Sequence, residues 1–511
     1  MDTFGSADTD PLLPPPEMLS RFGARALDPA TAAALPGQRL RPTAYIADQL
    51  LLRSAVEGMA RDPVQRAAAS LGLMVDWESV QRRESGSGYR LRLAPVDRPV
   101  AADAWRVLQE ARAIARGLPG FTHDDALGVQ LDHLMFADPT IGGNPYTSPH
   151  PYTSPHGLSG FSPMYAYADP DFAGIRPVAV VMPQPARRHC AGRRPVVAVL
   201  DTGCGRHPWL DAVVTRDVVI VEGGTPVVIG YQQPDPEDTG DITGPLDGLR
   251  DPLAGHGTFI CGLIHQASPD ADILAVRIVR ADGRIAESDL VLALDQLSEL
   301  ARRHAAGEPD GHPIDVVSLS LGYYNETPLD PAFSTVLLDV LDRLAALGVA
   351  VVASAGNDAT LREQFPAAFA VRNDPARVPV TSVGALNPDG RTVALFSNSG
   401  PWVKAWQRGA SVVSTMPVTF QNGMNPPAGR PDPSGRQRAS LDPDGFTGGF
   451  GVSSGTSFAA PLFAGRLASR LFGLAESQAL DLDDTGPAAI TIRSDAVAQL
   501  RGDDPYPFVV T

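Results

Sequence analysis

Three side chains in the sequence have the chemistry needed for covalent catalysis by a hydroxyl group. Asp201 directly follows the apolar run Val196–Leu200, and His256 lies between two glycines. Ser457 lies within the small-residue segment Gly455–Pro461. A serine nucleophile, a histidine base and a carboxylate that orients the imidazole are the three parts of a serine-hydrolase site. The hypothesis is therefore that the Ser457 hydroxyl attacks an acyl carbonyl.

The residues around Ser457 predict that its hydroxyl lies at the start of a helix. Apolar residues recur at helical spacing from Phe458 onward. Pro461 fits only the first turn of a helix, so we expect the helix to begin near Ser457. The unpaired backbone N–H groups of such a turn stabilise an oxyanion. The simpler alternative is that Ser457 is only a helix cap.

Each of these residues, taken alone, has a structural explanation. Asp201 suits a turn at a strand end, and His256 suits a hydrogen-bonded histidine in a core. Their order along the chain, Asp, His and then Ser, is the order found in subtilisin. A competing match, G-x-S-x-G at 451–455, is typical of α/β-hydrolases, whose histidine follows the serine. The last histidine of this chain is His312, so we reject the competing match.

Several segments between about residues 193 and 472 resemble the signatures of subtilisin-like serine proteases (subtilases). The first three are Asp201-Thr-Gly, Gly-His256-Gly-Thr and Gly-Thr-Ser457-Phe-Ala-Ala-Pro. The segment ending at Asn357, which alone would be a cap or turn residue, resembles the signature whose asparagine binds the oxyanion together with the serine N–H. Another segment resembles the edge strand that pairs with an extended substrate. By this resemblance the substrate-binding residues are Ser320, Leu321, Gly322, Ala353, Ser354, Ala355 and Gly356.

The resemblance implies a function. We expect a serine endopeptidase that hydrolyses peptide bonds in proteins or peptides through Asp201, His256 and Ser457 and an acyl-enzyme. The small pocket walls favour an apolar residue before the cut. The alternative is a catalytically silent subtilase fold that acts as a binding or regulatory protein. No cofactor is expected, and Ca²⁺ sites, which many subtilases carry, stay unassigned because the sequence has no Asp-x-Asp-x-Asp-Gly loop.

The elements that position these residues follow from alternating apolar and amphipathic segments after residue 195. This alternation predicts an α/β fold, a subtilisin-like parallel sheet with helices on both faces. Ligands of such sheets bind at the carboxyl ends of the strands, so Asp201 and Asn357 are expected on one rim. Residues 476–511 are predicted to be a short mixed tail. The predicted strands and helices are Val196–Leu200, Gly257–Gln266, Ile273–Val279, Ala286–Ala305, Val316–Leu321, Ala332–Leu347, Val349–Ala353 and Val380–Val383.

The chain divides into four parts. Residues 1–41 are predicted to be a flexible arm, and residues 42–135 have the β-α-β-β-α-β order of a small ferredoxin-like domain. Within that domain, Asp62 is expected to cap a helix with Pro63 at its first position. Residues 136–192 form a Pro/Gly/Ser-rich linker that contains a tandem repeat of six residues, and residues 193–511 form the catalytic domain.

The resemblance also gives the N-terminal domain a role. Subtilases are often preceded by a ferredoxin-like propeptide that assists folding, inhibits the active site and is cleaved off. We therefore expect residues 42–135 to be an intramolecular inhibitor in a zymogen, and we expect autoprocessing within the 136–192 linker. The alternative is a partner-docking domain that restrains an active protease.

Charge and cysteine content exclude several other classes of function. With 42 basic and 58 acidic residues the formal net charge is −16, which disfavours nucleic acid or an anionic membrane as a partner. Three cysteines, without a CxxC motif, provide neither a disulfide framework nor a metal site. No leader peptide or membrane-spanning run is apparent in the sequence, so a cytoplasmic location is expected.

Overall fold

A computed structural model describes most of the chain. The described residues are 10–502, except 12, 15, 54–56, 78–88, 97–99, 119–127, 138–173, 182, 232–233, 244–249, 329–334, 373, 422–425 and 427. The tandem repeat of the predicted linker and the predicted glycine–serine turn near residue 86 therefore lie outside the described residues.

The larger part of the fold is built on a seven-stranded parallel sheet. Its strands lie in the order β18-β17-β15-β13-β7-β11-β8, and every neighbouring pair is parallel. The elements after residue 174 are β6 Arg176–Pro177, β7 Val196–Asp201, β8 Val214–Thr215, β9 Val219–Glu222, β10 Thr225–Val228, α4 Pro236–Thr239, α5 His256–Ala267, β11 Asp272–Arg277, β12 Arg284–Ala286, α6 Glu287–Ala305, β13 Val316–Leu319, β14 Leu321–Tyr324, α7 Val336–Ala346, β15 Ala350–Ser354, β16 Gln364–Phe365, a 3₁₀ helix Ala367–Val371, β17 Thr381–Leu386, β18 Ala405–Arg408, β19 Val412–Thr415, β20 Gly429–Pro431, β21 Gln437–Ala439, β22 Phe450–Ser453, α8 Thr456–Glu476 and α9 Pro487–Gly502.

The apolar strands of the parallel sheet separate two hydrophobic cores, one on each face of the sheet. Every residue of β7 is buried; Val197 and Val199 enter one core, whereas Ala198 and Leu200 enter the other. Helices α5, α8 and α9 cover the first core, and helices α6 and α7 cover the second. Successive side chains of a strand point to opposite faces, so a continuously apolar strand is what a sheet covered on both sides requires. The predicted α/β fold is confirmed.

The N-terminal part forms a second, antiparallel sheet. Its strands lie in the order β5-β2-β4-β3, and two helices, α2 and α3, pack against each other beside it. The elements are α1 Pro16–Arg21, β1 Ala24–Leu27, β2 Thr43–Leu52, α2 Glu57–Ser70, β3 Leu73–Asp76, β4 Tyr89–Pro95, α3 Ala104–Arg116 and β5 Val129–Ala137. From β2 to β5 they have the β-α-β-β-α-β order that the sequence predicts.

Three details differ from the sequence-based expectations. The predicted arm contains α1 and β1, because β1 pairs with β2 and buries Ala24 and Leu27. Helix α2 begins before Asp62 and contains Pro63, since burial of Ala60 and Val64 on one face extends it across the proline. The predicted C-terminal tail contains helix α9, which packs against α8.

A buried ion cluster fastens helix α9 to the parallel sheet. Asp315, which precedes β13, is fully buried and accepts hydrogen bonds from Arg193 at 2.7 Å and from Arg493 of α9 at 3.0 Å. It also accepts the backbone N–H of Val196, the first residue of β7, at 2.9 Å. A charge at this depth is tolerated only because every partner is in place.

We predict that Asp315→Ala strongly destabilises the protein. The substitution leaves the buried Arg493 guanidinium without its carboxylate, so the free energy of unfolding should fall by about 3–5 kcal/mol. The matched control is Asp483→Ala, since Asp483 pairs with the same Arg193 but has a side chain that is 54% exposed. That change should cost about 0–1 kcal/mol. Urea denaturation measures both, and equal effects would contradict the interpretation.

Candidate active site

Asp201 and His256 meet in the buried interior of the protein. Asp201 is the last residue of β7 and His256 the first of α5, and His256 Nδ1 lies 2.8 Å from Asp201 Oδ1. Both side chains are essentially inaccessible to solvent. A Cβ atom on Gly257 would lie 2.1 Å from the Gly203 carbonyl oxygen, so only glycine lets the strand end and the helix approach this closely. The structure therefore brings these two sequence-predicted residues into contact.

Ser457 lies in the first turn of α8, a helix that packs against α5, the helix of His256. The ring of Phe458, the next residue, has its centroid 5.4 Å from that of His256. The helix begins at Thr456, within one residue of the predicted start, but Pro461 is its sixth residue and so lies beyond the first turn that the sequence predicts for it. Pro461 has no N–H to give to the Ser457 carbonyl four residues earlier. That carbonyl instead accepts the Ser320 hydroxyl at 2.9 Å, so the proline allows a side-chain link to the predicted substrate-binding strand.

Asn357 is tied to the same helix. Its Oδ1 accepts both the backbone N–H and the hydroxyl of Thr456, each at 2.9 Å. These two bonds identify the carbonyl side of the amide and direct Nδ2 away from Thr456. That Nδ2 lies 3.5 Å from where a Cβ on Gly455 would be, at the turn before Ser457. The structure thus brings Asn357 to the start of the helix that carries Ser457.

The predicted substrate-binding strand is already paired with another part of this chain. Strand β14 pairs antiparallel with β5, with Leu321 opposite Ala137 and Gly322 opposite Phe136. On its other side β5 pairs with β12, so residues 134–137 lie between the two strands. The end of the N-terminal sheet therefore adds a strand to the edge that the sequence predicts to bind an extended peptide.

The second predicted wall, Ala353–Gly356, lies at the carboxyl end of β15 and is buried. Sequence reasoning missed a side chain that lies between the two predicted substrate-binding segments, 320–322 and 353–356. A Cβ on Gly322 would lie 2.3 Å from Gln364 Nε2, and one on Gly356 would lie 1.7 Å from Gln364 Oε1. The Gln364 carboxamide therefore fills the space beside both glycines. No motif identifies it, because it reaches this position through the pairing of β16 with β14.

Sequence reasoning also missed a buried carboxylate behind the Asp201–His256 pair. Glu237 of α4 is fully buried and accepts hydrogen bonds from the hydroxyls of Thr202 and Thr258. Burial raises the pKa of Glu237 to about 7; the two threonine bonds oppose the shift, and the nearby carboxylates Asp235 and Asp201 add to it. The acidic composition of the loop around Glu237 was the only available signal, and it could not single out one carboxylate.

A second buried ionic cluster joins the N-terminal sheet to the larger part of the fold. The ring nitrogens of His133, in β5, lie 2.7 Å from a carboxylate oxygen of Glu287 and 2.9 Å from one of Glu326. Tyr323 stacks on the ring at 4.2 Å and approaches Glu287 through its hydroxyl. Burial by itself lowers the pKa of His133, but the bonds to the two glutamates outweigh it and raise the pKa to about 10. His133 is thus held as a buried cation.

Further polar contacts cross the same boundary. Asp132, beside His133, accepts the Ser288 N–H at 3.0 Å and the Ser288 hydroxyl at 2.7 Å at the start of α6. The Gln130 side chain accepts the first N–H of α7, from Val336, at 3.0 Å. Unpaired N–H groups at helix starts need such acceptors. Strand β5 therefore supplies acceptors to both helices that cover the second core.

Within the described residues, no helix combines the length and apolar character needed to cross a bilayer. The same part of the chain contains no group of three or more His, Cys, Asp or Glu side chains arranged to hold a metal ion. In the acidic segment between Asp235 and Asp251, the Asp251 carboxylate accepts the backbone N–H groups of Ile242 and Thr243.

A buried carboxylate–imidazole pair on the rim of a parallel sheet, with a serine at the start of the adjacent helix, is the arrangement of a serine peptidase. The profile of the subtilase family matches residues 192–473, which is more than half of the sequence. The chain belongs to the subtilase family of serine peptidases.

The chain is similar to several known members. Subtilisin BL from Lederbergia lenta is 28% identical over 255 residues, which cover 48% of this chain and 75% of that protein. Mycosin-4 from Mycobacterium tuberculosis is 28% identical over 299 residues, which cover 54% of each. The solved structure of fervidolysin from Fervidobacterium pennivorans has a TM-score of 0.47 at 17% identity and covers 87% of this chain and 56% of that one. The match thus spans about half the length of Mycosin-4 and of fervidolysin.

We predict that the His133 cluster makes the stability of the intact protein depend on pH. An unperturbed histidine has a pKa of about 6.5, whereas that of His133 is about 10, so its contribution is full below the first value and lost as pH rises through the second. At pH 7, His133→Gln should lower the free energy of unfolding by about 2–5 kcal/mol, since the two buried glutamates, Glu287 and Glu326, lose their shared cationic partner.

The measurement is denaturant unfolding of both proteins between pH 6 and pH 10.5. The difference between the two curves isolates His133 from Glu287, Glu326, Tyr323 and Arg112, the other ionisable groups around this cluster. The difference should shrink as pH approaches 10. A difference that stays constant across the range would show that His133 is not a titrating cation.

Proposed function

We propose that the protein is a serine endopeptidase that works through Asp201, His256 and Ser457. The observation that carries this proposal is the buried 2.8 Å contact between Asp201 and His256 next to the helix that carries Ser457 in its first turn. Because Nδ1 of His256 faces Asp201, the carboxylate fixes the tautomer in which Nε2 accepts the serine proton. The hydroxyl then attacks a peptide carbonyl.

The developing negative charge needs donors in fixed positions. The Ser457 N–H, at a helix start, and Nδ2 of Asn357 are the proposed donors to the oxyanion. Thr456 supports this role because it holds Oδ1 of Asn357 with two hydrogen bonds. Collapse of the tetrahedral intermediate gives an acyl-enzyme, with the leaving amine protonated by His256, and water hydrolyses that ester by the same steps in reverse.

We further propose that the N-terminal sheet is an intramolecular inhibitor and that the chain processes itself. Residues 134–137 occupy the edge that would pair with substrate, so an incoming peptide must displace them. The proposed cut lies in the predicted linker at 136–192. A docking role for this sheet is the alternative. A catalytically silent protein is the other, although it would not need Asp201, His256, Asn357 and Ser457 together. The expected cytoplasmic location stays a prediction.

We predict that Ser457→Ala abolishes both activity and self-cleavage. The substitution removes the nucleophile and should lower kcat by about 10⁶-fold. Mass spectrometry of the purified proteins should give cleaved wild type and intact Ser457→Ala, and a fluorophosphonate probe should label only the wild type. The matched control is Ser453→Ala, because the Ser453 hydroxyl is buried and makes no hydrogen bond within the described residues.

The outcomes separate the proposals. Labelling of wild type and of Ser453→Ala, but not of Ser457→Ala, supports the assigned nucleophile. A folded wild type that no probe labels, before or after removal of the N-terminal sheet by limited proteolysis, would reject the peptidase proposal in favour of a silent fold. Labelling with identical intact masses would retain the peptidase and reject self-processing.

We also propose a preference for small residues on the N-terminal side of the cut. The carboxamide of Gln364 lies against Gly322 and Gly356, one from each predicted wall of the pocket. It is 96% buried, and Oε1 accepts from Asn398 Nδ2 at 3.3 Å, which helps to hold it in place. With the carboxamide in this position, we expect room for small side chains such as alanine or serine, whereas leucine or phenylalanine would collide with it. This proposal narrows the apolar preference expected from the sequence.

We predict that Gln364→Ala opens this pocket. The ratio of kcat/KM for phenylalanine over alanine before the cut should rise by about tenfold or more, since a few methylenes of pocket space are worth about 1–3 kcal/mol each. Paired peptide substrates that differ only at this residue provide the measurement. Gln499→Ala, on the distant helix α9, is the control. An unchanged ratio in Gln364→Ala would show that Gln364 does not bound the pocket.

A further inference from the structure

One buried carboxylate holds both elements that carry the Asp201–His256 pair. Glu237 Oε1 accepts the Thr202 hydroxyl and the Gly255 N–H, the latter at 3.1 Å. Glu237 Oε2 accepts the Thr258 hydroxyl. Thr202 directly follows the aspartate, while Gly255 and Thr258 flank the histidine. Through these bonds a single side chain connects the end of β7 to the first turn of α5.

Glu237 is itself fixed in place. It lies in the single turn α4, where Asp235 caps the N-terminus through the Glu237 N–H at 2.9 Å and Pro236 occupies the first turn. Asp235 in turn pairs with Arg277 at the end of β11. The neighbouring strand of the sheet thus anchors the loop that delivers the carboxylate.

The Thr202 hydroxyl connects Glu237 to the catalytic aspartate. Its oxygen accepts the Gly257 N–H at 2.8 Å and lies 3.2 Å from Asp201 Oδ1 as well as in hydrogen-bond contact with Glu237. A hydroxyl has one proton to donate. While Glu237 is ionised it takes that proton, and when Glu237 is protonated the hydroxyl can turn toward Asp201. The charge on Glu237 therefore decides whether the Thr202 hydroxyl donates to Asp201, which also accepts the Thr202 N–H.

We propose that Glu237 is a positioning residue of the proposed peptidase, which aligns Asp201 with His256 and whose negative charge stabilises the imidazolium formed during catalysis. The proposal rests on the proposed function, because it assigns a role within the same reaction. The charge lies in a buried region of low dielectric, where a second carboxylate behind the first strengthens the attraction felt by the imidazolium.

The sign of the expected pH effect follows from the surrounding charges. The ionisable groups near Glu237 are Asp201, Asp235, Arg250, Cys261 and Arg277. Arg250 and Arg277 have carboxylate partners of their own, Asp444 and Asp235. The negative charge of Glu237, which is fully present only above its pKa of about 7, should therefore raise the pKa of the catalytic imidazole. Because the base must be neutral to act, removing that charge should move the acidic limb of the kcat/KM profile to lower pH.

The test compares Glu237→Gln, Glu237→Asp and the control Glu308→Gln, whose carboxylate is on the exposed surface after α6. Active sites are counted with a fluorophosphonate probe, and kcat/KM for one chromogenic peptide is measured from pH 5 to pH 9. For Glu237→Gln we expect the acidic limb to move down by at least about 0.5 pH unit and kcat to fall about tenfold to a hundredfold. Glu308→Gln should match the wild type.

The Glu237→Asp variant separates the effect of the negative charge from that of the hydrogen bonds to Thr202 and Thr258. Aspartate keeps the charge but is one methylene shorter, so it cannot reach both threonines as Glu237 does. We expect its acidic limb to stay at the wild-type pH while kcat falls. If Glu237→Gln does not fold, Glu237→Asp alone tests the proposal. An acidic limb at the wild-type pH together with a reduced kcat supports it. An acidic limb at lower pH, or an unchanged kcat, overturns it.

Failure of this inference differs from failure of the proposed function. An active, probe-labelled wild type with a Glu237→Gln variant whose acidic limb is unchanged would reduce Glu237 to a structural role and leave the peptidase intact. A wild type that is neither labelled nor active would remove both.

Discussion

The contact between Asp201 and His256 depends on the burial and close packing of the elements around it. Burying a carboxylate and an imidazole is unfavourable unless nearly every polar atom has a partner. Here the Thr202 N–H donates to Asp201, and the Glu237 carboxylate accepts the Gly255 N–H next to His256. Glycine at position 257 allows the two elements to approach closely enough. The parallel sheet supplies the rigidity, because strand β7 is fully buried between two cores.

Helix α8, which carries Ser457, is linked to the segment predicted to bind substrate because Pro461 has no N–H to donate. Because Pro461 has no N–H, the Ser457 carbonyl does not accept the hydrogen bond that position 461 of a helix would normally donate. It accepts the Ser320 hydroxyl instead. The residue before Ser457, Thr456, meanwhile holds Asn357. Two side-chain contacts therefore fix the start of α8 relative to both sides of the proposed cleft. In this arrangement the proline, which a helix interior normally disfavours, helps to position the site.

The N-terminal sheet is attached by backbone pairing, by charge and by three apolar side chains, Leu51, Met135 and Ala137, that enter the second core. Strand β5 pairs with β12 and β14, and its polar residues meet the starts of α6 and α7. Ion pairs such as Arg53–Asp339 and Arg90–Asp289 surround this contact. Polar interfaces of this kind favour specific docking and separate more readily than an apolar core does. That property agrees with the proposal that this sheet is an intramolecular inhibitor.

The sequence by itself determined the parallel sheet and the catalytic candidates, because continuous apolar strands and glycine-flanked polar residues are local patterns. It also predicted the helix start at Ser457 to within one residue. It missed α1, β1 and α9 and the course of α2 through Pro63, since these depend on packing partners distant in the chain. Glu237, Gln364 and the His133 cluster carry no local signature either. Only the tertiary structure decided their roles, because a buried polar side chain acquires its chemistry from the groups that folding brings around it.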